Sequence, residues 1–155
     1  MNVDVRGVLA AGAPPLTAAV VGSLGSRDAG EIYRRLTKPR WAPPSSAFGP
    51  VWTGLYALIG VAGWRMWRGR APARTWALHA AQSTLNAAWP FTFFTIRDKR
   101  ASLAVITALD LLVAAQILDL TRQDKVAPAA LAPYLAWILF ATALNTSVSD
   151  PTKTG

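Results

Sequence analysis

Residues 126–149, VAPAALAPYLAWILFATALNTSVS, decide the fold, because this run contains no charged side chain. A helix needs about 20 apolar residues to cross about 30 Å of hydrocarbon. A helix on the surface of a soluble protein would carry charged residues every three or four positions along one face. The run therefore predicts a membrane-spanning helix over residues 127–147.

Four further runs share this lack of charge, and together they cover most of the chain. They are residues 7–26, 41–64, 75–96 and 101–118, the last containing Asp110 alone. A soluble protein with five buried helices is disfavoured, because too little polar sequence remains to cover them. The alternating pattern of a membrane β-barrel is also absent. We therefore predict an all-α integral membrane protein, a single domain over residues 1–155, with spans at about 7–25, 48–66, 75–96, 101–119 and 127–147.

The composition excludes several kinds of chemistry. The chain has 155 residues, of which 52% are hydrophobic and only 15% are charged. Because cysteine is absent and His79 is the single histidine, disulfides, a catalytic thiol and a multi-histidine zinc site are excluded. We expect no bound metal and no required cofactor.

The net charge of +8 would fit a polyanion partner if the basic residues formed one patch. They lie instead in short connections at the ends of the spans, such as residues 65–74 and 97–100, where they can reach lipid headgroups. We therefore expect the lipid bilayer, and no nucleic acid, as a partner. Lys and Arg are shared too evenly between the two sides to fix the orientation.

Residues 26–47 form the single long connection between spans. Its second half places Trp41 among Pro39, Pro43 and Pro44. Proline stiffens the backbone and tryptophan offers a large apolar face. Two interpretations stay open: an aromatic anchor at headgroup depth, or a semi-rigid lid over a cavity among the helices.

Three of the predicted spans carry a stripe of aromatic, amide and small residues at helical spacing. Uncharged polar groups in a span usually face the bundle interior, where they bond to other helices or to a ligand. These stripes suit a flat hydrophobic ligand better than hydrolysis or group transfer. They comprise Trp52, Tyr56, Gly60 and Gly63; His79, Gln82, Asn86, Trp89 and Phe93; and Tyr134, Trp137, Ala141 and Asn145.

Asp110 is the one ionisable residue in the middle of a span. An isolated carboxylate is costly in hydrocarbon, so Asp110 must face the interior or be protonated. It is a candidate ligand contact, proton-coupling group or buried hydrogen-bond partner.

Four segments together resemble the TspO/MBR family of tryptophan-rich sensory and translocator proteins. The resemblance runs in order from about residue 12 to 147. Its segments are YRRLTKPRWAPP at 33–44, FGPVWTGLY at 48–56, QSTLNAAWPFTFF at 82–94 and PYLAWILFATALN at 133–145.

The resemblance implies a homodimer in the membrane with a cavity beneath the first loop. It implies binding of porphyrins such as protoporphyrin IX and haem, and a role as a tetrapyrrole sensor, regulator or transporter. A bacterial cytoplasmic membrane is the expected location. The site residues that it implies, with Asp110 added as a span residue at a pocket position, are Tyr33, Pro43, Trp52, Tyr56, Asn86, Trp89, Asp110, Trp137 and Ala141.

Some residues depart from the family pattern. Ile32 stands where a tryptophan often precedes the loop tyrosine, and Asp110 stands where many members have an uncharged pocket residue. Residues 146–151 lack the aromatic and basic side chains of the animal proteins' sterol-recognition segment. Cholesterol is therefore a doubtful partner.

Two other functions compete with simple porphyrin binding. The first is light-dependent porphyrin degradation, for which the resemblance implies Trp52 and Trp137 as the reactive residues. The second is proton-coupled transport of a small molecule through Asp110. A transporter of this kind is hard to build from five spans without an inverted repeat.

Overall fold

The computed structural model describes residues 4–154, and this part of the chain is helical without any β-strand. Five long helices and one short helix account for most of it. A 3₁₀ turn at Ser45–Ala47 precedes the third helix, and another at Pro151–Thr154 follows the last. The helices are α1 (Val5–Gly25), α2 (Ala29–Arg35), α3 (Phe48–Arg68), α4 (Ala73–Pro90), α5 (Lys99–Leu120) and α6 (Val126–Ser147).

The five long helices form a closed ring. Helix α1 packs against α3 and α4, α4 packs against α5, and α6 closes the ring by contacting α5 and α3. Close approach of α1 to α3 depends on Gly63, since a Cβ there would lie 3.0 Å from the Cα of Ala11. Similarly, a Cβ on Gly25 would lie 2.8 Å from the backbone nitrogen of Phe91. Small residues at such contacts allow helices to pack closely inside a membrane.

Four of the five predicted spans are confirmed as long apolar helices. Among the described residues, those long and apolar enough to cross a membrane are Val5–Gly25, Ser45–Arg68, Lys99–Leu120 and Val126–Ser147. Their bounds lie close to the predicted ones.

The predicted span at 75–96 corresponds to α4 and does not meet the same criterion. Its mean hydropathy is reduced by polar side chains that include His79, Gln82 and Asn86, all buried inside the bundle. The regular helix ends at Pro90 and continues as a π-helical turn over Phe91–Thr95. Proline at the end of a helix removes a backbone donor, and a wider turn accommodates this loss.

The long connection contains a helix that the sequence did not predict. Helix α2 has Glu31 in its first turn and Arg34 and Arg35 in its last turn. Acidic residues near the N-terminus and basic residues near the C-terminus complement the helix dipole, and the ion pair between Glu31 and Arg35 joins successive turns. This segment packs over one end of the bundle with Ile32, Tyr33 and Leu36 buried beneath it.

Candidate ligand-binding site

A cavity of about 350 Å³ lies at the end of the bundle that α2 covers. Helices α1, α3, α4 and α6 form its walls, and residues of the long connection close it from above. Its volume is within the range of about 300–1,000 Å³ for small-molecule sites. Seven of the nine predicted site residues line it: Tyr33, Trp52, Tyr56, Asn86, Trp89, Trp137 and Ala141.

Aromatic rings form most of the cavity wall. Trp52 and Tyr56 lie on the same face of α3 with ring centroids 5.5 Å apart. The ring of Trp89 on α4 stacks on that of Phe93, in the π-helical turn that follows, at 5.4 Å. Residues four apart on a helix point the same way, so these pairs follow directly from the sequence spacing. Trp137 forms the opposite wall, and its ring packs edge-to-face against the phenylalanine ring at the start of α3.

The polar groups in the cavity wall are few and uncharged. Tyr56 donates its hydroxyl hydrogen to Oδ1 of Asn86 at 2.9 Å. The indole nitrogens of Trp89 and Trp137 are buried and have no hydrogen-bond partner among the described residues. A buried N–H without an acceptor costs free energy, and neither nitrogen is exposed to the cavity.

No Lys, Arg, His, Asp or Glu lines the cavity within residues 4–154. Over the same residues, no cluster of three or more His, Asp or Glu side chains could hold a metal ion. The cavity therefore suits a largely apolar molecule that carries its charged groups at an edge.

A hydrogen-bonded lid covers the cavity. Tyr33 donates its hydroxyl hydrogen to the backbone carbonyl of Pro43 at 2.7 Å, which joins the two halves of the connection. The ammonium group of Lys38 donates to the backbone carbonyls of Tyr33 and Leu36 at 2.6 and 2.9 Å. Burial of the Tyr33 ring also raises the pKa of its hydroxyl. This hydroxyl therefore remains a neutral donor at ordinary pH.

The lid is also tied to the end of α6. The backbone nitrogen of Ser149 donates to the carbonyl of Thr37 at 3.0 Å, and the backbone nitrogen of Thr37 donates to the Ser149 hydroxyl at 3.0 Å. Trp41 is half exposed and packs edge-to-face on Phe140, with centroids 5.7 Å apart. The connection is thus an ordered cover over the cavity, and Trp41 lies at its outer edge.

Two predicted site residues lie outside the cavity. Pro43 acts through its carbonyl, which accepts the Tyr33 hydrogen bond, but its side chain does not line the space. Asp110 lies between α5 and α6, where Thr142 donates to its Oδ2 at 2.7 Å. Because α5 contributes no residue to the cavity wall, the role of Asp110 as a ligand contact stays a prediction without geometric support.

Several cavity residues were not among the predicted ones. Most are small or aliphatic, and sequence alone gives them no functional signal. Phe48 lies within a segment that carried the family resemblance and could have been found there, whereas α1 contributes only small side chains. The additional wall residues include Ala19, Gly22, Ser23, Leu36, Phe48, Leu144 and Val148, together with Phe93 and Asn145, which the sequence had placed on the inward stripes.

The sequence model of the TspO/MBR family matches residues 10–149 of this chain. The chain belongs to the TspO/MBR family. It is a membrane protein, in agreement with its four long apolar helices.

Named relatives occur in archaea, bacteria and animals. The chain is 39% identical to the tryptophan-rich protein TspO of Archaeoglobus fulgidus over 75% of this chain and 76% of that protein. It is 35% identical to the tryptophan-rich sensory protein of Cereibacter sphaeroides over 94% and 90% of the two chains. It is 34% identical to the translocator protein of Homo sapiens over 73% and 70%.

Proposed function

We propose that this TspO/MBR protein binds porphyrins, such as protoporphyrin IX or haem, in the cavity beneath the lid. In this proposal it acts as a membrane sensor, regulator or transporter of tetrapyrroles. The observation that carries the proposal is an uncharged cavity with aromatic walls, to which Trp52, Trp89 and Trp137 contribute. Flat aromatic macrocycles suit such walls, because stacked and edge-to-face rings attract one another.

The charge distribution supports a particular orientation of the ligand. Porphyrin carboxylates find no cation in the cavity wall, but the lid carries basic residues, of which Arg34 and Arg40 are exposed. Arginine pairs well with carboxylates. In the proposed complex the macrocycle lies among the aromatic rings and its carboxylates point outward to the lid.

The cavity offers little to a bound iron. The usual axial ligands of haem besides tyrosine are histidine, cysteine and methionine, and none of these lines the wall within the described part of the chain. The hydroxyls of Tyr33 and Tyr56 line the cavity, but both already donate hydrogen bonds within the protein. Metal-free protoporphyrin IX is therefore the better first probe.

Helix α4 is proposed as the fifth membrane span. It lies in the ring between α1 and α5, both of which are long apolar helices. Its polar side chains point inward, whereas its outward face carries small residues such as Ala77, Ala80 and Thr84. A helix with this arrangement can cross a bilayer despite a low mean hydropathy, because its polar groups bond within the bundle.

The test is a titration of detergent-purified protein with protoporphyrin IX, followed by tryptophan fluorescence. We expect saturable quenching, with Kd raised about tenfold in Trp137→Phe and in Asn86→Ala, equivalent to about 1.4 kcal/mol. Trp67→Phe is the matched control, since Trp67 lies at the far end of α3 and bonds to Asp4. Binding that is absent in a folded protein, or that is indifferent to the cavity variants, would remove the proposal.

Light-dependent degradation remains a second candidate, because both Trp52 and Trp137 line the cavity. In such a reaction the macrocycle is oxidised and dioxygen is reduced. The discriminating measurement is loss of porphyrin absorbance under light and air. That loss should disappear in Trp52→Phe or Trp137→Phe if either indole takes part.

A homodimer is the proposed assembly. Small residues of α1 and α4 border a shallow groove on the outer face of the bundle, among them Ala13, Thr17, Ala80 and Thr84. Such a surface permits close contact between helices of two copies in a membrane. Replacing Ala80 and Thr84 by leucine should shift the protein towards monomer in light scattering of the detergent complex.

A further inference from the structure

The polar row on α4 continues beyond the cavity into the closed part of the bundle. Asn86 lines the cavity, Gln82 lies one turn deeper, and His79 lies another turn below. Gln82 and His79 are completely buried. At 1.5 Å per residue, His79 lies about 10 Å along the helix from Asn86.

A directed chain of hydrogen bonds joins the cavity to His79. Tyr56 donates to Asn86, and the Asn86 amide nitrogen donates to the Tyr134 hydroxyl at 2.8 Å. Tyr134 donates to Oε1 of Gln82 at 3.0 Å, and Nε2 of Gln82 faces Nδ1 of His79 at 3.5 Å. Every donor in the chain points away from the cavity.

At the inner end of the hydrogen-bond chain, the neighbouring amides define which ring nitrogen of His79 carries the hydrogen. Nε2 of Gln116 also faces Nδ1 of His79, at the shorter distance of 2.9 Å. An amide nitrogen can only donate, so this orientation of the Gln116 amide makes Nδ1 an acceptor and corresponds to neutral His79 with its hydrogen on Nε2. That Nε2 atom and Oε1 of Gln116 are buried without a hydrogen-bond partner among the described residues.

We propose that His79 is a positioning residue for the ligand cavity: its acceptor Nδ1 ends the chain and so fixes how Asn86 and Tyr56 present their polar atoms to a ligand. This inference rests on the proposed ligand binding in the cavity. It adds a residue that lies outside the cavity wall and that the sequence interpretation had placed only on the inward stripe of α4.

The hydrogen bonds of this chain could reverse their donor directions only together. If the hydrogen of His79 moved to Nδ1, neither amide nitrogen that faces this atom could stay in place, so both Gln82 and Gln116 would have to rotate and one would present its oxygen. Tyr134 would then turn its hydroxyl towards Asn86, and Asn86 would turn its amide nitrogen towards Tyr56. Buried hydrogen bonds strengthen one another and are costly to leave unmade, so mixed arrangements are disfavoured. A ligand that bonds to Tyr56 or Asn86 therefore changes the hydrogen bonding of His79.

Because His79 is the single histidine of the chain, the hydrogen position on its imidazole can be measured directly. Selective ¹⁵N-histidine labelling gives one imidazole, and its two nitrogen resonances report which atom carries the hydrogen. In the ligand-free protein we expect the Nε2–H form. On saturation with protoporphyrin IX we expect both resonances to shift, and we expect Tyr56→Phe to abolish that shift because it cuts the chain at the cavity.

Matched variants separate positioning from a structural role. We expect His79→Leu to raise Kd for protoporphyrin IX about tenfold, because it removes the terminal acceptor. His79→Asn places an amide oxygen near the position of Nδ1 and should restore Kd to within about twofold of the parent. Thr75→Val is the control: Thr75 is equally buried one turn away but bonds to Asp119 and Gln123 instead. Its Kd should stay within about twofold.

The outcomes distinguish this inference from the proposed function. An Nδ1–H form in the ligand-free protein overturns the inference whether or not a porphyrin binds. Saturable binding with an unmoved His79 spectrum, or equal Kd in His79→Leu and the parent, also overturns it while the proposed function stands. Absence of saturable binding in the parent contradicts the proposed function itself. If His79→Leu fails to fold, the spectrum of the parent and the His79→Asn titration decide.

Discussion

The lid half of the bundle and the opposite half have different interiors, although the same helices run through both. In the lid half, aromatic rings and amides surround open space. In the opposite half, Met66, Val113, Leu120 and Leu131 fill the interior and are almost completely buried. Polar residues of α4 occur in both halves. The difference shows that the candidate binding site is marked by open space beside polar residues. The type of the polar residue does not mark it, because polar residues occur in both halves.

The largest expected effect comes from filling the space in the lid half. Ala141→Leu adds three carbons to the cavity wall, and we expect Kd for protoporphyrin IX to rise about a hundredfold, near 2.7 kcal/mol. The melting temperature should hardly change, because the added atoms enter open space. Fluorescence titration and circular dichroism measure the two quantities on the same samples.

Val113→Leu adds one carbon in the opposite half and serves as the control. Val113 is fully buried in close-packed surroundings. Overpacking there should cost about 1–3 kcal/mol of stability while leaving Kd unchanged. If the two variants behaved alike, the contrast between the halves would be wrong.

The same substitution at two depths sharpens the comparison. Tyr134→Phe removes a hydroxyl that accepts from Asn86 and donates to Gln82, and it leaves Nδ2 of Asn86 and Oε1 of Gln82 without these partners in a dry interior. We expect a loss of about 2 kcal/mol of stability. Tyr56→Phe breaks one bond at the cavity wall and should cost about 1 kcal/mol. Thermal unfolding in detergent measures both, and a larger loss for Tyr56→Phe would contradict this ranking.

The positions of the helices could be predicted from the sequence because charged side chains are excluded from segments that lie in hydrocarbon. That rule placed the bounds of α1, α3, α5 and α6 closely, and it placed α4 as well. It gave no weight to the uncharged polar residues of α4, such as His79, Gln82 and Asn86, which make this segment less apolar than the other four.

The site could be predicted only in part. Helical spacing put Trp52 with Tyr56 and Asn86 with Trp89, since residues three or four apart share a face. It could not show that Asp110 turns to Thr142 behind the cavity, because which neighbour a helix face meets depends on packing in three dimensions. The short helix in the lid was missed for a similar reason: seven residues carry too little periodicity to stand out.

Acidic residues at the two ends of the bundle differ in their hydrogen-bond partners and in their exposure. Asp124, beyond the end of α5, accepts hydrogen bonds from the backbone nitrogens of Val126 and Ala127 at 2.7 Å and pairs with Arg65 at 2.6 Å. The Arg65 guanidinium, with these N–H groups, lowers the pKa of the Asp124 carboxyl. Asp124→Asn should therefore cost up to about 1 kcal/mol at neutral pH, mostly through the lost ion pair with Arg65, because asparagine caps a helix about as well as aspartate.

The pH dependence of that loss follows from the lowered pKa. A carboxyl with a depressed pKa in the folded state stabilises the protein above its ordinary value, near 4, and loses this contribution as the pH falls through the lower one. The melting temperatures of the parent and Asp124→Asn should thus converge on acidification below about pH 4. A difference that stayed constant down to pH 3 would show that charge is not involved.

The smallest effect is expected at the lid, where Glu31 and Arg35 form an ion pair one helical turn apart and both side chains are more than half exposed. Exposed pairs of this kind contribute about 0.3–0.5 kcal/mol, because water and salt screen the attraction and two flexible side chains must be ordered. Glu31→Gln should therefore lower the melting temperature by an amount close to the experimental error at 0.15 M salt. Unlike Asp124, Glu31 has no described bond to the backbone that would order a following helix. A measurable loss at low salt that vanishes at high salt would fit this account. A loss as large as that of Asp124→Asn would mean that the lid helix supports the bundle as firmly as the connection at its opposite end.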